Sequence, residues 1–105
     1  MKTMVLAVTL AVVGGMVGAL AAERTIGQKG KVFSETDIIV KVGDKLVFNN
    51  DDNVAHNVLS TSSGNEFNLG AQAPGVSSSV TFKTAGDVKI MCAIHPRMQM
   101  NVKVD

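Results

Sequence analysis

Apolar and polar positions alternate over most of the chain beyond residue 22, in short runs separated by turn formers. Ile38-Ile39-Val40-Lys41-Val42 is dense in β-branched side chains, and Lys45-Leu46-Val47-Phe48 follows across Gly43-Asp44. Two such runs around a short Gly-containing turn predict a β-hairpin. Val80-Thr81-Phe82-Lys83 has the period-2 pattern of a strand with one buried face. Thr84-Ala85-Gly86-Asp87 supplies the next turn, Val88 to Cys92 the next strand, and Val102-Lys103-Val104 a last one. Thr25 to Gln28 and Lys31 to Phe33 are weaker strand candidates on either side of Gly30. The polar run Asn49 to Asn53 is an expected loop. So is the Ser-, Gly- and Asn-rich region Ser60 to Ser79, with Phe67 and Leu69 as its anchors. No internal repeat and no helical period emerge here. Several short strands with turns between them predict an all-β sandwich or barrel. Pro74 and Pro96 both fall outside the expected central strands.

The first 22 residues follow a different pattern. Lys2 precedes a run from Met4 to Leu20 that is apolar or Gly except for Thr9, and Ala19-Leu20-Ala21 ends it with small residues. This is the layout of a secretory signal with a cleavage site. The competing reading is an uncleaved membrane anchor, since the run approaches the ~18 residues of a short spanning helix. Gly14, Gly15 and Gly18 and the small-residue site favour cleavage. The expected organisation is a signal peptide at 1–22 and one domain at 23–105. That domain would be exported to the periplasm, with no membrane association after cleavage.

Composition narrows the function. Without Lys2, nine basic and nine acidic side chains remain, so no basic field points to nucleic acid. Four Phe are the only aromatics among Phe, Trp and Tyr, and a domain this small gains from an added constraint. A disulfide within the chain is excluded because Cys92 is the only cysteine. A bound metal would give both the constraint and a use for the thiol.

Cys92, His95 and Met98 lie close together near the C-terminus, and the only other histidine is His56. One thiolate, two imidazoles and a thioether form the donor set of blue-copper electron-transfer sites. Residues three apart cannot share one face of a strand. A loop leaving the strand that ends at Cys92 can present them together, stiffened by Pro96. His56 must then arrive from another loop at the same end of a sandwich. Taken singly, each residue has an ordinary reading: a buried Cys is a small hydrophobe, a Met fills core, and a lone His is seldom a ligand. Their coincidence is what points to a metal. A thioether suits copper better than zinc, whose structural sites prefer four Cys or His ligands.

These residues resemble the cupredoxin family, in its small plastocyanin, pseudoazurin and amicyanin branch, over roughly Lys31 to Asp105. Cys92-Ala93-Ile94-His95-Pro96-Arg97-Met98 is similar to the Cys-x2-His-x2-Met loop of amicyanin. Val40-Lys41-Val42-Gly43-Asp44 through Phe48-Asn49-Asn50 resembles the strand-turn-strand before the first ligand, and His56-Asn57-Val58 its His-Asn-Val step. The resemblance implies a Greek-key β-sandwich holding one copper, with His56, Cys92 and His95 as equatorial ligands and Met98 as the axial one. On the longer loops of plastocyanin and pseudoazurin, Met100 would be the axial ligand instead. The short distance from Cys92 to Asp105 favours Met98. Asn57 would tie the ligand loops together and shield the Cys92 sulfur, and His95 would be the electron port. Three positions depart from the pattern. Met91 stands for an aromatic, Ala93 for Ser or Thr, and Arg97 places a charge beside the port.

The expected function is one-electron transfer by a soluble, monomeric, exported copper protein, and not catalysis. Its partners would be redox proteins such as a c-type cytochrome or a periplasmic dehydrogenase or oxidase, docking near His95. Two other classes are carried beside it. One is copper delivery, motivated by Met91, Met98 and Met100 near His95. The other is a metal-free exported β-domain.

Overall fold

The computed structural model describes residues 20–105, so most of the expected signal segment lies outside the described residues. Among those described, no helix is long and apolar enough to cross a membrane. The elements are strands: β1 (Glu23–Lys29), β2 (Val32–Phe33), β3 (Asp37–Val40), β4 (Lys45–Asn50), β5 (His56–Ser60), β6 (Phe67–Gln72), β7 (Ser77–Thr81), β8 (Gly86–Met91) and β9 (Gln99–Val104). They form two sheets, ordered β2-β1-β4-β7 and β3-β9-β8-β5-β6. Two pairings are parallel, β1 with β4 and β3 with β9, and they join segments far apart in sequence.

The first hairpin is β1–β2, closed by a two-residue loop with Lys29 opposite Val32. Gly30 has φ 67° and Lys31 φ 60°, so both loop residues take the left-handed conformation that suits the twist of a tight hairpin. The hairpin expected across Gly43-Asp44 does not form. β3 pairs with β9 in one sheet, whereas β4 pairs with β1 and β7 in the other. The turn therefore crosses between sheets. Asp44 fixes it by accepting the Lys41 N–H on Oδ2 at 2.9 Å and the Ala22 N–H on Oδ1 at 2.9 Å. The Gly43 N–H and the Val42 N–H bond to the ends of the neighbouring runs, at Phe82 O and Asp105 O. The expected loop Ser60 to Ser79 likewise contains β6 and the start of β7. Both are edge strands, and edge strands need few apolar side chains because much of their surface meets water.

The buried faces meet between the sheets. Alternate positions point inward: Leu46 and Phe48 from β4, Val88 and Ile90 from β8, Met100, Val102 and Val104 from β9. Phe33 stacks edge-on against Phe48 with centroids 6.0 Å apart, an arrangement that aligns a ring edge with a ring face. Near one end this apolar filling gives way to buried amides. Gln28 and Asn50 are register partners on β1 and β4, and Gln72 faces His56 across β5–β6. Gln28 Nε2 donates to Gln72 Oε1 at 2.7 Å, Gln72 Nε2 donates to Phe48 O at 2.8 Å, and Asn50 Nδ2 donates to Gln72 O at 2.9 Å. Buried amides cost stability unless paired in this way. Their bonds hold the two sheets in one register immediately behind His56.

Candidate metal centre

His56 opens β5 and is fully buried, Cys92 follows the last residue of β8 and is also buried, and His95 is half-buried in the loop beyond it. That loop closes on itself. The Met98 N–H donates to His95 O at 2.9 Å, and the Cys92 N–H donates to Met98 O at 3.2 Å. The turn carries His95 over the Cys92 side chain and starts β9 directly afterwards.

Three of the four expected donors converge. One donor atom each from His56, Cys92 and His95 lies within 4.8 Å of the others. His56 Nδ1 is 3.1 Å from His95 Nδ1, and Cys92 Sγ is 3.8 Å from His95 Nδ1. Two ring nitrogens on one tetrahedral ion, with bonds of about 2.0 Å, stand about 3.3 Å apart, and a nitrogen and a thiolate sulfur about 3.5 Å. The site fits a first-row metal on that measure. Met98, 1 % exposed, is buried on the same loop. Met100, also 1 % exposed, lies within β9 opposite Ile90 in the core register.

A main-chain bond reaches the sulfur: the backbone N–H of Asn57 donates to Cys92 Sγ at 3.3 Å. Asn57 Oδ1 accepts the Ala93 N–H at 3.4 Å, while its Nδ2 donates to Asn68 Oδ1 at 2.9 Å and Gly70 O at 3.0 Å. The β5–β6 register shifts between Asn57 and Leu59, and Gly70, opposite that irregularity, has φ 78°. The left-handed backbone there is open to Gly at no steric cost. Asn57 thus makes a long bond to the Cys92 loop, the tie the sequence resemblance implies, and two shorter ones to β6.

Asp52 had no place in the sequence reading. Its Oδ2 lies 3.0 Å from His56 Nε2 and accepts the Lys31 N–H at 2.9 Å. Hydrogen bonds from Lys31 and then from His56 hold its carboxyl below the usual carboxylate range. An ionised carboxylate only accepts, so Nε2 carries the proton and His56 Nδ1 presents a lone pair toward His95 and Cys92. In sequence Asp52 is one acid in a polar loop, and an acid four residues before a His outside a helix carries no periodic signal.

Around His95 the surface is open. Ala93, Pro96 and Arg97 are exposed, and Ile94 is 51 % exposed.

Residues 20–105 match the family described as copper binding proteins, plastocyanin/azurin family. No curated protein matches the chain. Among solved structures, a purple cupredoxin from Nitrosopumilus maritimus is 24% identical with a TM-score of 0.69, covering 78% of this chain and 99% of that one. The reduced state of an amicyanin mutant is 26% identical with a TM-score of 0.71, covering 79% of this chain and 82% of that one. A copper-containing nitrite reductase from Thermus scotoductus is 22% identical with a TM-score of 0.72, covering 82% of this chain but 22% of that one.

Proposed function

Because this chain belongs to the plastocyanin/azurin family of copper-binding proteins, we propose that it is a type I copper protein carrying single electrons between redox proteins. The observation that carries this reading is the convergence of His56 Nδ1, His95 Nδ1 and Cys92 Sγ at the buried end of the sandwich. Copper is the cofactor, and when bound it supplies a one-electron Cu(I)/Cu(II) couple that soft sulfur and imidazole donors both tolerate.

The residues of the chain do the rest. His56 and Cys92 are buried and keep water from the donors, while the Asn57 N–H donates to Sγ. Met98 is the fourth ligand in this proposal. Its place on the Cys92 loop and its backbone bond to Cys92 support that choice over Met100, equally buried but held in the core by the β8–β9 ladder. With four protein donors no position is left open for substrate, which supports a carrier over an enzyme. His95 is the half-buried donor and the proposed electron port. Exposed Ile94 and Ala93 beside it offer an apolar contact of the small, transient kind typical of redox encounters, below about 1,200 Å². Exposed Arg97 favours a partner with carboxylates opposite it, such as a c-type cytochrome or a periplasmic dehydrogenase or oxidase. Export to the periplasm by residues 1–22, and action there as a soluble monomer, complete the proposal.

Addition of Cu(II) to the metal-free protein tests it. One equivalent should give an intense blue thiolate-to-copper absorption that bleaches with ascorbate and returns with ferricyanide, over repeated cycles without metal loss. A colourless product contradicts a type I site. Transfer of Cu(I) to an acceptor protein in each cycle would favour copper delivery instead.

A further inference from the structure

The aspartate behind His56 sits in a built position. Asp52 N donates to Asn50 Oδ1 at 2.9 Å, and Asp52 Oδ1 accepts the Asn53 N–H at 3.1 Å. Asn50 is in turn bonded to Val54 O and Gln72 O, so the buried amide layer holds the base of the Asp52 turn. On the other side, Asp52 Oδ2 is shared between the Lys31 N–H and His56 Nε2. Lys31 is the one non-glycine with positive φ among the described residues, at the tip of the β1–β2 hairpin. The Asp52 side chain is 12 % exposed and that of His56 is 0 % exposed, so little solvent screens the contact between them.

We propose that Asp52 is a positioning residue for the copper centre: its carboxylate, clamped by the β1–β2 hairpin, fixes His56 with Nδ1 free to ligate and favours the oxidised state of the metal. The inference rests on the copper reading above. A ring that donates Nε2–H to an anion cannot turn to present Nε2 without breaking that bond, so one nitrogen and one orientation are selected. The anion also makes Nδ1 a stronger donor, as outer carboxylates do for histidine ligands generally. A stronger donor and a nearby negative charge both stabilise Cu(II) more than Cu(I). The hairpin therefore acts on the metal through one oxygen atom, although neither β1 nor β2 supplies a ligand.

Three measurements test this. In the copper-loaded protein, Asp52→Asn should lower the ratio of Cu(II) to Cu(I) affinity about tenfold, which raises the midpoint potential by about 59 mV for one electron. Asp51→Asn removes the same charge from the neighbouring exposed position and should shift the potential by only a small fraction of that. Independently of any variant, NMR of the reduced wild-type protein should show a slowly exchanging His56 Nε2 proton. Equal shifts in the two variants reduce the effect to general surface charge and overturn the inference. So does an unchanged potential in Asp52→Asn, or a His56 Nε2 proton that exchanges as fast as that of His95. A wild-type protein that takes up no copper fails the reading of the site itself, a separate outcome from any of these.

Discussion

Replacing Asn57 by Ala removes the side chain that joins the Cys92 loop to β6 while leaving every proposed ligand in place. Asn57 is 7 % exposed, so its bonds are largely shielded from water. Two of them, to Asn68 Oδ1 at 2.9 Å and Gly70 O at 3.0 Å, have good length, and each is worth about 1 kcal/mol. The third, from the Ala93 N–H at 3.4 Å, is long and adds little. After truncation Asn68 Oδ1 keeps the Gly70 N–H at 2.9 Å, and Gly70 O, on an exposed residue, can turn to water. The sum is a loss of about 2 kcal/mol. In a domain of this size that lowers Tm by roughly 8–16 °C. Guanidinium unfolding of the metal-free protein reads this directly, without any contribution from copper. Asn68→Ala should then cost about 1 kcal/mol less in the Asn57→Ala background than in the wild type, since the shared bond is already gone. The Asn57 N–H to Sγ bond is main-chain and survives, so the variant should still turn blue with Cu(II). A loss below about 0.5 kcal/mol, or full additivity with Asn68→Ala, refutes the bridging role.

Met98→Gln should change the visible copper spectrum, whereas Met100→Leu, a volume-conserving swap in the β9 core row, should leave the spectrum alone and cost under about 1.5 kcal/mol. The opposite pattern transfers the axial role to Met100. Arg97→Glu should slow association with an acidic c-type cytochrome and remove the fall in rate with added salt seen for the wild type. Stopped-flow mixing across ionic strength checks this, and identical salt slopes would contradict it. Bonds from the Ala22 and Lys41 N–H groups hold the Asp44 carboxyl below the usual carboxylate range. A depressed folded pKa gives stability that is present above the unfolded value, about 3.9, and lost as pH falls toward the folded one. In protein that retains Ala22, Asp44→Asn should therefore flatten the acid limb of the stability curve below about pH 4, as read by urea unfolding at several pH values. An unchanged limb would show that the bonds seen at Asp44 do not couple to folding.

The all-β class was legible because alternation survives in β4, β8 and β9, whose inward rows are Leu46 and Phe48, Val88 and Ile90, and Val102 and Val104. Which sheet each strand joins was not. Period-2 alternation says that a strand has a buried face, but Val40 and Lys45 read alike whether their turn doubles back or crosses the sandwich. The crossing is decided by long-range partners, β9 for β3 and β1 and β7 for β4. β6 and the start of β7 were hidden because FNLGAQ and Ser77-Ser78-Ser79 carry few apolar residues at the sheet edges, while Val80-Thr81 was legible as strand. At the site, the three converging donors were legible through scarcity, as the chain's only thiol and only imidazoles. Asp52 was not, since its role comes from the His56 ring turning Nε2 toward it, and from the Gly30-Lys31 hairpin meeting it from the other side.

X-ray absorption at the copper edge, on protein loaded with one equivalent of metal, interrogates the donor set atom by atom. The expected signal is one short sulfur scatterer, assigned to Cys92 by its disappearance in Cys92→Ser, together with two imidazole nitrogens that fall to one in His56→Ala. A first shell of nitrogen and oxygen alone, or a sulfur signal that persists without Cys92, would contradict a centre built from His56, Cys92 and His95.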